Sequence, residues 1–117
     1  MNKKNLSLSE FQKKVYRVCS KIPEGSVTTY GTIARILGNS SMARAVGNAL
    51  NKNPFPSKEV PCHRVIRSNG EVGGFASGTK NKGTKNKIIM LEKEGIEVID
   101  GRVDLTRFSA DIDLLVR

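Results

Sequence analysis

The chain has 117 residues, of which 38% are hydrophobic and 26% are charged. This length and composition predict one globular domain over residues 1–117 and exclude a disordered chain. The opening residues "MNKKNLSLSEFQKKVYRVCSK" contain no apolar run of signal-peptide or membrane-spanning length. We therefore predict a cytoplasmic protein without membrane contact, in which Cys19 and Cys62 stay reduced.

The chain is strongly basic. Twenty Lys and Arg residues against eleven Asp and Glu residues give a formal net charge of +9. Such an excess is typical of proteins that bind a polyanion, most commonly nucleic acid. A basic surface that only keeps the protein in solution explains the charge equally well. Charge alone therefore leaves both interpretations open.

The first predicted element is a helix that begins at "SLSE", Ser7–Glu10. Ser and Glu at this spacing form a capping box. Apolar residues then recur on one face of a helix, at Leu8, Phe11, Val15 and Val18. Cys19 lies beside this face and is predicted to fill the core. The sequence "IPEGSV" ends the helix.

Two short helices are predicted in "TTYGTIARILGNSSMARAVGNALNKNP". Thr28 or Thr29 caps the first helix, which ends at the glycine of "LGN". Ser40 or Ser41 caps the second, which runs to Leu50 and stops before "NKNP". In a basic protein this pair indicates a helix-turn-helix that binds DNA. A plain helical hairpin has the same periodicity.

The second of these helices has an unusually small surface around Arg44. Its neighbours on that surface are Ala43, Ala45 and Gly47. Small side chains allow a close approach to another helix or to a narrow DNA groove. Arg44 by itself would be an ordinary solvated residue.

Two short strands are predicted on either side of a turn at Asn69-Gly70, with Cys62 on the first strand. Their apolar residues are Val60, Val65, Ile66 and Val72. A glycine-rich loop, "GGFASG", and a lysine and asparagine run, "TKNKGTKNK", come next. The lysines are either solvated or in contact with phosphates.

The last third of the sequence predicts three elements. A helix carrying Ile88 and Leu91 ends at Gly95, and a hairpin turns at Asp100-Gly101. A final amphipathic helix carries apolar residues at Leu105, Phe108, Ile112 and Leu115. The predicted fold is mainly α: a small helix-turn-helix or winged-helix-like bundle with short β-strands.

Cys62 directly precedes His63, the only histidine of the chain. A structural zinc site needs about four N or S ligands, and two cysteines and one histidine without CxxC or HxxxH spacing predict no metal site. A neighbouring base can instead generate a reactive thiolate. Residues adjacent on a strand point to opposite faces, so an interaction here needs a bridging water or a turn at Pro61.

Five sequence features together resemble the O6-alkylguanine-DNA alkyltransferase family: "TTYGTIA", "ARAVGNALNKNP", "PCHRV", "GGF" and "EKEG". The resemblance runs from about Phe11 to about Phe108. It implies a monomeric methylated-DNA–protein-cysteine methyltransferase that repairs double-stranded DNA containing O6-alkylguanine. The alkyl group passes to the protein's own cysteine in a single irreversible turnover, without a cofactor. Family members commonly carry a further N-terminal domain, which this chain is expected to lack.

The resemblance also implies catalytic roles for individual residues. Cys62 would accept the alkyl group, His63 would take the thiol proton through a water molecule, and Glu94 would orient His63. Asn53 would be a hinge that ties together the backbone around the active site. Tyr30 would donate to N3 of guanine as negative charge develops on the departing base.

DNA contacts follow from the same resemblance. Arg44 would fill the gap that a guanine leaves when it rotates out of the duplex, with Tyr30 at the same surface. The narrow part of the helix would enter the minor groove through Ala43, Ala45 and Gly47.

The resemblance places the base pocket at Leu50, Val65, Phe75 and Ala76. The carbonyls of Cys62 and Val65 would read the exocyclic amine of guanine, and the N–H of Ala76 would face O6. The alternative is an alkyltransferase-like protein, which binds alkylated guanine without repairing it. Those proteins replace the acceptor cysteine, typically with tryptophan, whereas this chain has Cys62.

Overall fold

The structure, a computed structural model, describes residues 8–73 and 80–117, with only the backbone at 80–82. Three helices form its first half: α1 (Glu10–Cys19), α2 (Tyr30–Ile36) and α3 (Ala43–Asn51). They enclose an apolar core whose centre is completely buried, at Val15, Cys19, Ile33, Ala34 and Val46. The prediction of a mainly helical fold with a buried Cys19 is confirmed.

The capping box of α1 lies two residues later than predicted. The side chain of Ser9 accepts from the N–H of Gln12 at 3.0 Å, and the Gln12 side chain accepts from the N–H of Ser9 at 2.8 Å. The prediction of a box at Ser7–Glu10 is therefore wrong. Glutamine serves as well as glutamate at the third helical position, so the same motif forms with the later serine.

The two helices of the helix-turn-helix are present, but only one cap is as predicted. Thr29 caps α2 by accepting from the N–H of Thr32 at 3.0 Å. Neither Ser40 nor Ser41 caps α3. Asn39 instead accepts from the N–H of Ser41 at 2.9 Å and starts a 3₁₀ turn that leads into α3. An asparagine side chain competes well for such a turn because it reaches a backbone N–H two residues on.

Two strands join the halves of the fold. β1 (Thr28–Thr29) pairs in parallel with β2 (Val65–Ile66), so that Thr28 is opposite Val65. The predicted turn at Asn69-Gly70 forms, with the N–H of Gly70 donating to the carbonyl of Arg67 at 2.9 Å. The predicted second strand is wrong, because Glu71 after the turn forms an isolated bridge with Arg102 while β2 pairs with β1.

Cys62 lies in a 3₁₀ turn, Cys62–Arg64, rather than on a strand, which corrects the prediction. Pro61 precedes this turn with φ −77° and ψ 69°. Its ring restricts φ and removes a backbone donor, which disfavours a strand at this point, and β2 begins only at Val65.

The last third begins with α4 (Lys80–Lys93), which ends just before Gly95 as predicted. β3 (Val98–Ile99) and β4 (Arg102–Val103) then form the predicted antiparallel hairpin. Asp100 and Gly101 between them both have positive φ, as a two-residue hairpin turn requires.

The prediction of a single final helix is wrong. Two short helices replace it: α5 (Leu105–Phe108) and α6 (Ile112–Val116). The backbone between them pairs with Val27, which donates to the carbonyl of Phe108 at 2.8 Å and accepts from Ala110 at 2.7 Å. These long-range hydrogen bonds replace the helical ones. Within residues 8–73 and 80–117, no helix combines the length and apolar character needed to cross a membrane.

Candidate active site

A buried histidine–carboxylate pair lies behind the cysteine turn. Nε2 of His63 is 2.6 Å from Oε2 of Glu94, and the two side chains are only 4% and 11% exposed. An ionised carboxylate only accepts, so Nε2 carries the proton of the ring. Nδ1 is then the lone-pair nitrogen, and it is buried without a hydrogen-bond partner among the described residues. Nδ1 is thus the ring nitrogen that is left able to accept a proton.

Glu94 is held by two further donors. Arg64 donates through Nε to Oε1 at 2.9 Å and through Nη2 to Oε2 at 2.9 Å. The N–H of Gly25 donates to Oε1 at 3.0 Å. Arg64 also donates through Nη1 to the carbonyl of Ile22 at 2.7 Å. The loop after α1 and the cysteine turn therefore meet at one carboxylate.

These contacts set the protonation states of the pair. Burial raises the pKa of Glu94, but the hydrogen bonds from Arg64, His63 and Gly25 outweigh it, so the pKa lies below the usual range. Burial lowers the pKa of His63 by more than its contact with Glu94 raises it, and Arg64 lowers it further. At pH 7 the pair is an ionised carboxylate beside a neutral imidazole, which is the state that a base needs.

Cys62 is a half-buried free thiol on the same turn, packed at the edge of the core. A 3₁₀ helix turns by about 120° per residue, so Cys62 and His63 do not point to opposite faces as they would on a strand. Cys19, the other thiol, is completely buried, and burial raises its pKa. Of the two cysteines, Cys62 is the one that solvent and a ligand can reach.

Asn53 spans the loop that leads to the cysteine turn. Its Nδ2 donates to the carbonyl of Val60 at 3.3 Å, and its Oδ1 accepts from the N–H of Phe55 at 3.0 Å. Both ends of this loop are thereby fixed to one side chain.

Tyr30, at the start of α2, is paired with a buried lysine. Nζ of Lys87 donates to the carbonyl of Val65 at 2.7 Å and to Oη of Tyr30 at 3.3 Å. Lys87 is only 1% exposed, and burial lowers its pKa to about 8. Burial and the neighbouring Cys62 raise the pKa of Tyr30, so its hydroxyl keeps its proton.

The predicted DNA-contacting residues lie on two sides of α3. Exposed Arg44 lines a cavity of about 300 Å³ together with Ala43, Gly47 and Tyr30. A Cβ on Gly47 would lie 3.8 Å from the Tyr30 ring, so these residues are close neighbours. Ala45 lines a different cavity, because a residue two places along a helix is rotated by about 200°.

Comparison with known proteins supports a common origin for this arrangement. The family described as "6-O-methylguanine DNA methyltransferase, DNA binding domain" matches residues 10–96. The chain belongs to this family. The resemblance predicted from the sequence is thus confirmed.

Three similar proteins illustrate the family. A methylated-DNA–protein-cysteine methyltransferase of Methanosarcina acetivorans is 51% identical over 70 residues, 60% of this chain and 44% of that protein. Alkyltransferase-like protein 1 of Schizosaccharomyces pombe is 41% identical over 93 residues, 80% of this chain and 82% of that protein. The crystal structure of S. pombe Atl1 with damaged DNA containing O6-carboxymethylguanine has a TM-score of 0.76 at 34% identity. It covers 91% of this chain and 99% of that one.

The chain spans less than half the length of several methyltransferases that it matches. Within this methyltransferase-family domain, Leu50 and Val65 are buried in one core cluster. Phe75 and Ala76, the other predicted members of the base pocket, lie outside the described residues.

Arg64 and Lys87 contact site residues but were not predicted from the sequence. Lys87 precedes buried Leu91 by four residues and Glu94 by seven. These spacings place all three on one helical face, and that signal could have identified Lys87. Arg64 has no such signal, because its partner lies 30 residues away along the chain.

Proposed function

We propose that the protein repairs alkylated DNA by moving the alkyl group from O6 of guanine to Cys62, once per molecule. The observation that carries the proposal is the state of His63. It is a neutral, buried imidazole whose Nε2 is fixed by ionised Glu94 and whose Nδ1 is left to accept a proton. This base shares a 3₁₀ turn with the accessible thiol.

In the proposed step the proton of the Cys62 thiol passes to Nδ1 of His63, directly or through one water molecule. The sulfur electron pair forms a bond to the alkyl carbon as the bond from that carbon to O6 breaks. The electrons of the broken bond stay on the guanine. Tyr30 would donate to N3 of the base, which carries part of this charge. The imidazolium that forms is stabilised by Glu94.

The proposed substrate is double-stranded DNA containing O6-alkylguanine. Support comes from the solved relatives, since S. pombe Atl1 was crystallised with damaged DNA and the Mycobacterium tuberculosis protein OGT with DNA. Arg44 would occupy the stack that the rotated guanine leaves. The small residues Ala43 and Gly47 beside it would allow the minor groove to approach, while contact between Ala45 and DNA remains a prediction.

Intact-protein mass spectrometry tests this function. The protein is incubated with a duplex that contains one O6-methylguanine. We expect one added methyl group per molecule, located by peptide mapping on Cys62 and not on Cys19. Cys62→Ser is the matched control, and it should bind the duplex without gaining mass. Repeated turnover, or a methyl group on Cys19, would contradict the proposal.

A second candidate function is lesion binding without transfer. The observation in its favour is the match to alkyltransferase-like protein 1 over 82% of that protein's length. The same experiment separates the two functions. Under the second, the protein would bind the methylated duplex more tightly than an unmodified one and its mass would not change. The cysteine at position 62 favours transfer, because binding alone does not need a thiol.

A further inference from the structure

Tyr30 and Arg67 lie side by side at the same end of two paired strands. β1 and β2 run in parallel, and Thr29 is opposite Ile66 in their register. Tyr30 directly follows Thr29 and Arg67 directly follows Ile66. Because neighbouring strands are about 4.8 Å apart, this pairing brings an arginine next to the tyrosine that is proposed to donate to the base.

Arg67 and Tyr30 also line one cavity of about 300 Å³, the cavity that contains Arg44. The stem of Arg67 lies along Gly73, since a Cβ on Gly73 would be 3.3 Å from Nε and 3.8 Å from Cγ of the arginine. No described Asp or Glu lines this cavity. Arg67 has no ion pair within residues 8–73 and 80–117. Its positive charge is therefore not cancelled by a described carboxylate.

The charge of Arg67 acts on the phenol of Tyr30. Burial raises the pKa of Tyr30 and Cys62 raises it further, whereas Arg67 lowers it. The described titratable and charged groups around the phenol come from several elements. They are Cys19 of α1, Arg44 of α3, Cys62 and Arg67 before and after β2, and Lys87 of α4. A phenol with a lower pKa is a stronger hydrogen-bond donor to a group that gains negative charge.

We propose that Arg67 acts through Tyr30, as a positioning residue that makes the phenol a stronger donor to the departing guanine. This inference rests on the proposed function, from which it takes the reaction. In that reaction the bond from the alkyl carbon to O6 breaks, and its electrons stay on the base. Arg67 favours this charge through the phenol and forms no bond to the reacting atoms. The effect should therefore be the same for a free base and for a base in duplex DNA.

The first test uses the free base O6-benzylguanine, which has no phosphate. Mass spectrometry follows the gain of one benzyl group by the wild type, Arg67→Gln and Arg67→Lys in single-turnover experiments. Arg67→Gln should react about two- to fivefold more slowly, the effect expected of one exposed charge. Arg67→Lys, which keeps the charge, should recover most of the rate.

Arg17→Gln is the matched control for net charge. Arg17 is exposed, and it lines a cavity that shares no residue with the cavity of Tyr30 and Arg67. Its variant should therefore react with O6-benzylguanine at the wild-type rate.

A second measurement does not depend on transfer. The chain has two tyrosines, Tyr16 and Tyr30, so ¹⁹F NMR of protein labelled with 3-fluorotyrosine follows both phenols in one pH titration. Fluorine lowers the pKa of a phenol, which brings both titrations to milder pH. Arg67→Gln should raise the pKa of Tyr30, and Arg67→Lys should restore it. Tyr16 is the internal control, because its pKa is raised by burial and by Cys62.

Three outcomes would overturn the proposal. A wild-type rate with O6-benzylguanine and a slower rate with the duplex would make Arg67 a DNA contact only. An equal loss of rate in Arg17→Gln would show a general effect of net charge. An unchanged Tyr30 titration in Arg67→Gln would exclude action through the phenol. The proposed repair function fails separately: if the wild type gains no alkyl group, the titration still tests the link between Arg67 and Tyr30. Thermal melts establish that all variants are folded.

Discussion

The His63–Glu94–Arg64 cluster and the surface that carries Arg35, Arg44 and Arg67 differ in how their charged side chains are paired. Within the cluster, charged atoms meet partners from the same chain at 2.6 to 2.9 Å, in side chains no more than 15% exposed. On the surface, Arg35, Arg44 and Arg67 are exposed and have no described partner of that kind. The charged groups of the cluster are therefore paired by folding, while those of the surface are left available to a ligand.

This difference implies that chemistry and DNA recognition are separable. Changes in the cluster should slow transfer from every substrate, including the free base O6-benzylguanine. Changes at Arg44 should slow transfer from the duplex alone. Both substrates are therefore measured for each variant.

The largest effect is expected from breaking the His63–Glu94 pair. His63→Ala or Glu94→Gln should slow transfer by about 10²- to 10⁴-fold, the usual contribution of a general base. The loss should be similar for duplex and free base, because both need the thiolate, and duplex affinity should stay near that of the wild type. Single-turnover kinetics with both substrates measures it. Wild-type transfer rates in these variants would show that His63 has only a structural role beside the thiol.

A smaller effect is expected from Arg64, which acts through Glu94 and His63. The wild-type transfer rate should fall on acidification only below pH 6.5, because the pKa of His63 lies below its ordinary value. Arg64→Gln removes a positive charge that lowers this pKa, so the fall should begin at higher pH. At pH 6 we expect a loss of about two- to fourfold, because burial still holds the pKa of His63 below its ordinary value in this variant.

Arg64→Lys is the matched control, since it keeps the charge and loses the two-pronged contact. Its rate–pH profile should lie between those of the wild type and Arg64→Gln. A purely structural role for Arg64 would instead lower the rate by the same factor at every pH.

Arg44→Ala should act on the duplex alone. Unstacking a base costs a few kcal/mol, and part of that cost is offset only if a side chain fills the gap. We expect transfer from the duplex to slow by about 10- to 100-fold and transfer from O6-benzylguanine to keep its rate. Equal losses on both substrates would show that Arg44 supports the fold.

The smallest effect, on stability, concerns the turn that supports Arg67. Gly70→Ala should lower the free energy of unfolding by about 1–3 kcal/mol, because Gly70 has φ +91° and its Cβ would contact the Val103 carbonyl. Gly38→Ala is the control: φ is +107°, but its Cβ would meet nothing within 4 Å. Thermal melts should show a smaller loss for Gly38→Ala. Equal losses would mean that the contact with Val103 contributes nothing.

Local signals in the sequence predicted the helices well. Thr29 caps α2 and the 100–101 turn forms the hairpin, because both depend on residues that are close along the chain. Two errors, the caps of α1 and α3, are local shifts of one or two residues, and the larger errors concern long-range contacts. Pairing between Val27 and Phe108–Ala110 divides the last helix, and β2 pairs with β1 across the whole helix-turn-helix. Neither contact can be recognised from hydrophobic periodicity, because the paired segments are only about two residues long.

In the candidate site, too, local sequence motifs predicted some residues, and contacts between distant segments were missed. Cys62, His63 and Glu94 were identified through motifs, and the structure places the latter two in contact. Two features depend on how α4 docks onto the cysteine turn. They are the hydrogen bonds from Arg64 to Glu94 and the burial of Lys87 beside Tyr30. That docking is a property of the packed core and is not encoded in any one segment.

Glu94 lies 31 residues beyond His63 in the chain, and this order matters during synthesis. A ribosome releases the thiol and the imidazole well before the carboxylate that orients them. Until α4 has emerged and docked, Cys62 is an ordinary thiol with no positioned base. Under the proposed function, the reactivity of Cys62 would therefore appear only when the domain is complete, and a growing chain would be protected from stray electrophiles before it can meet its target.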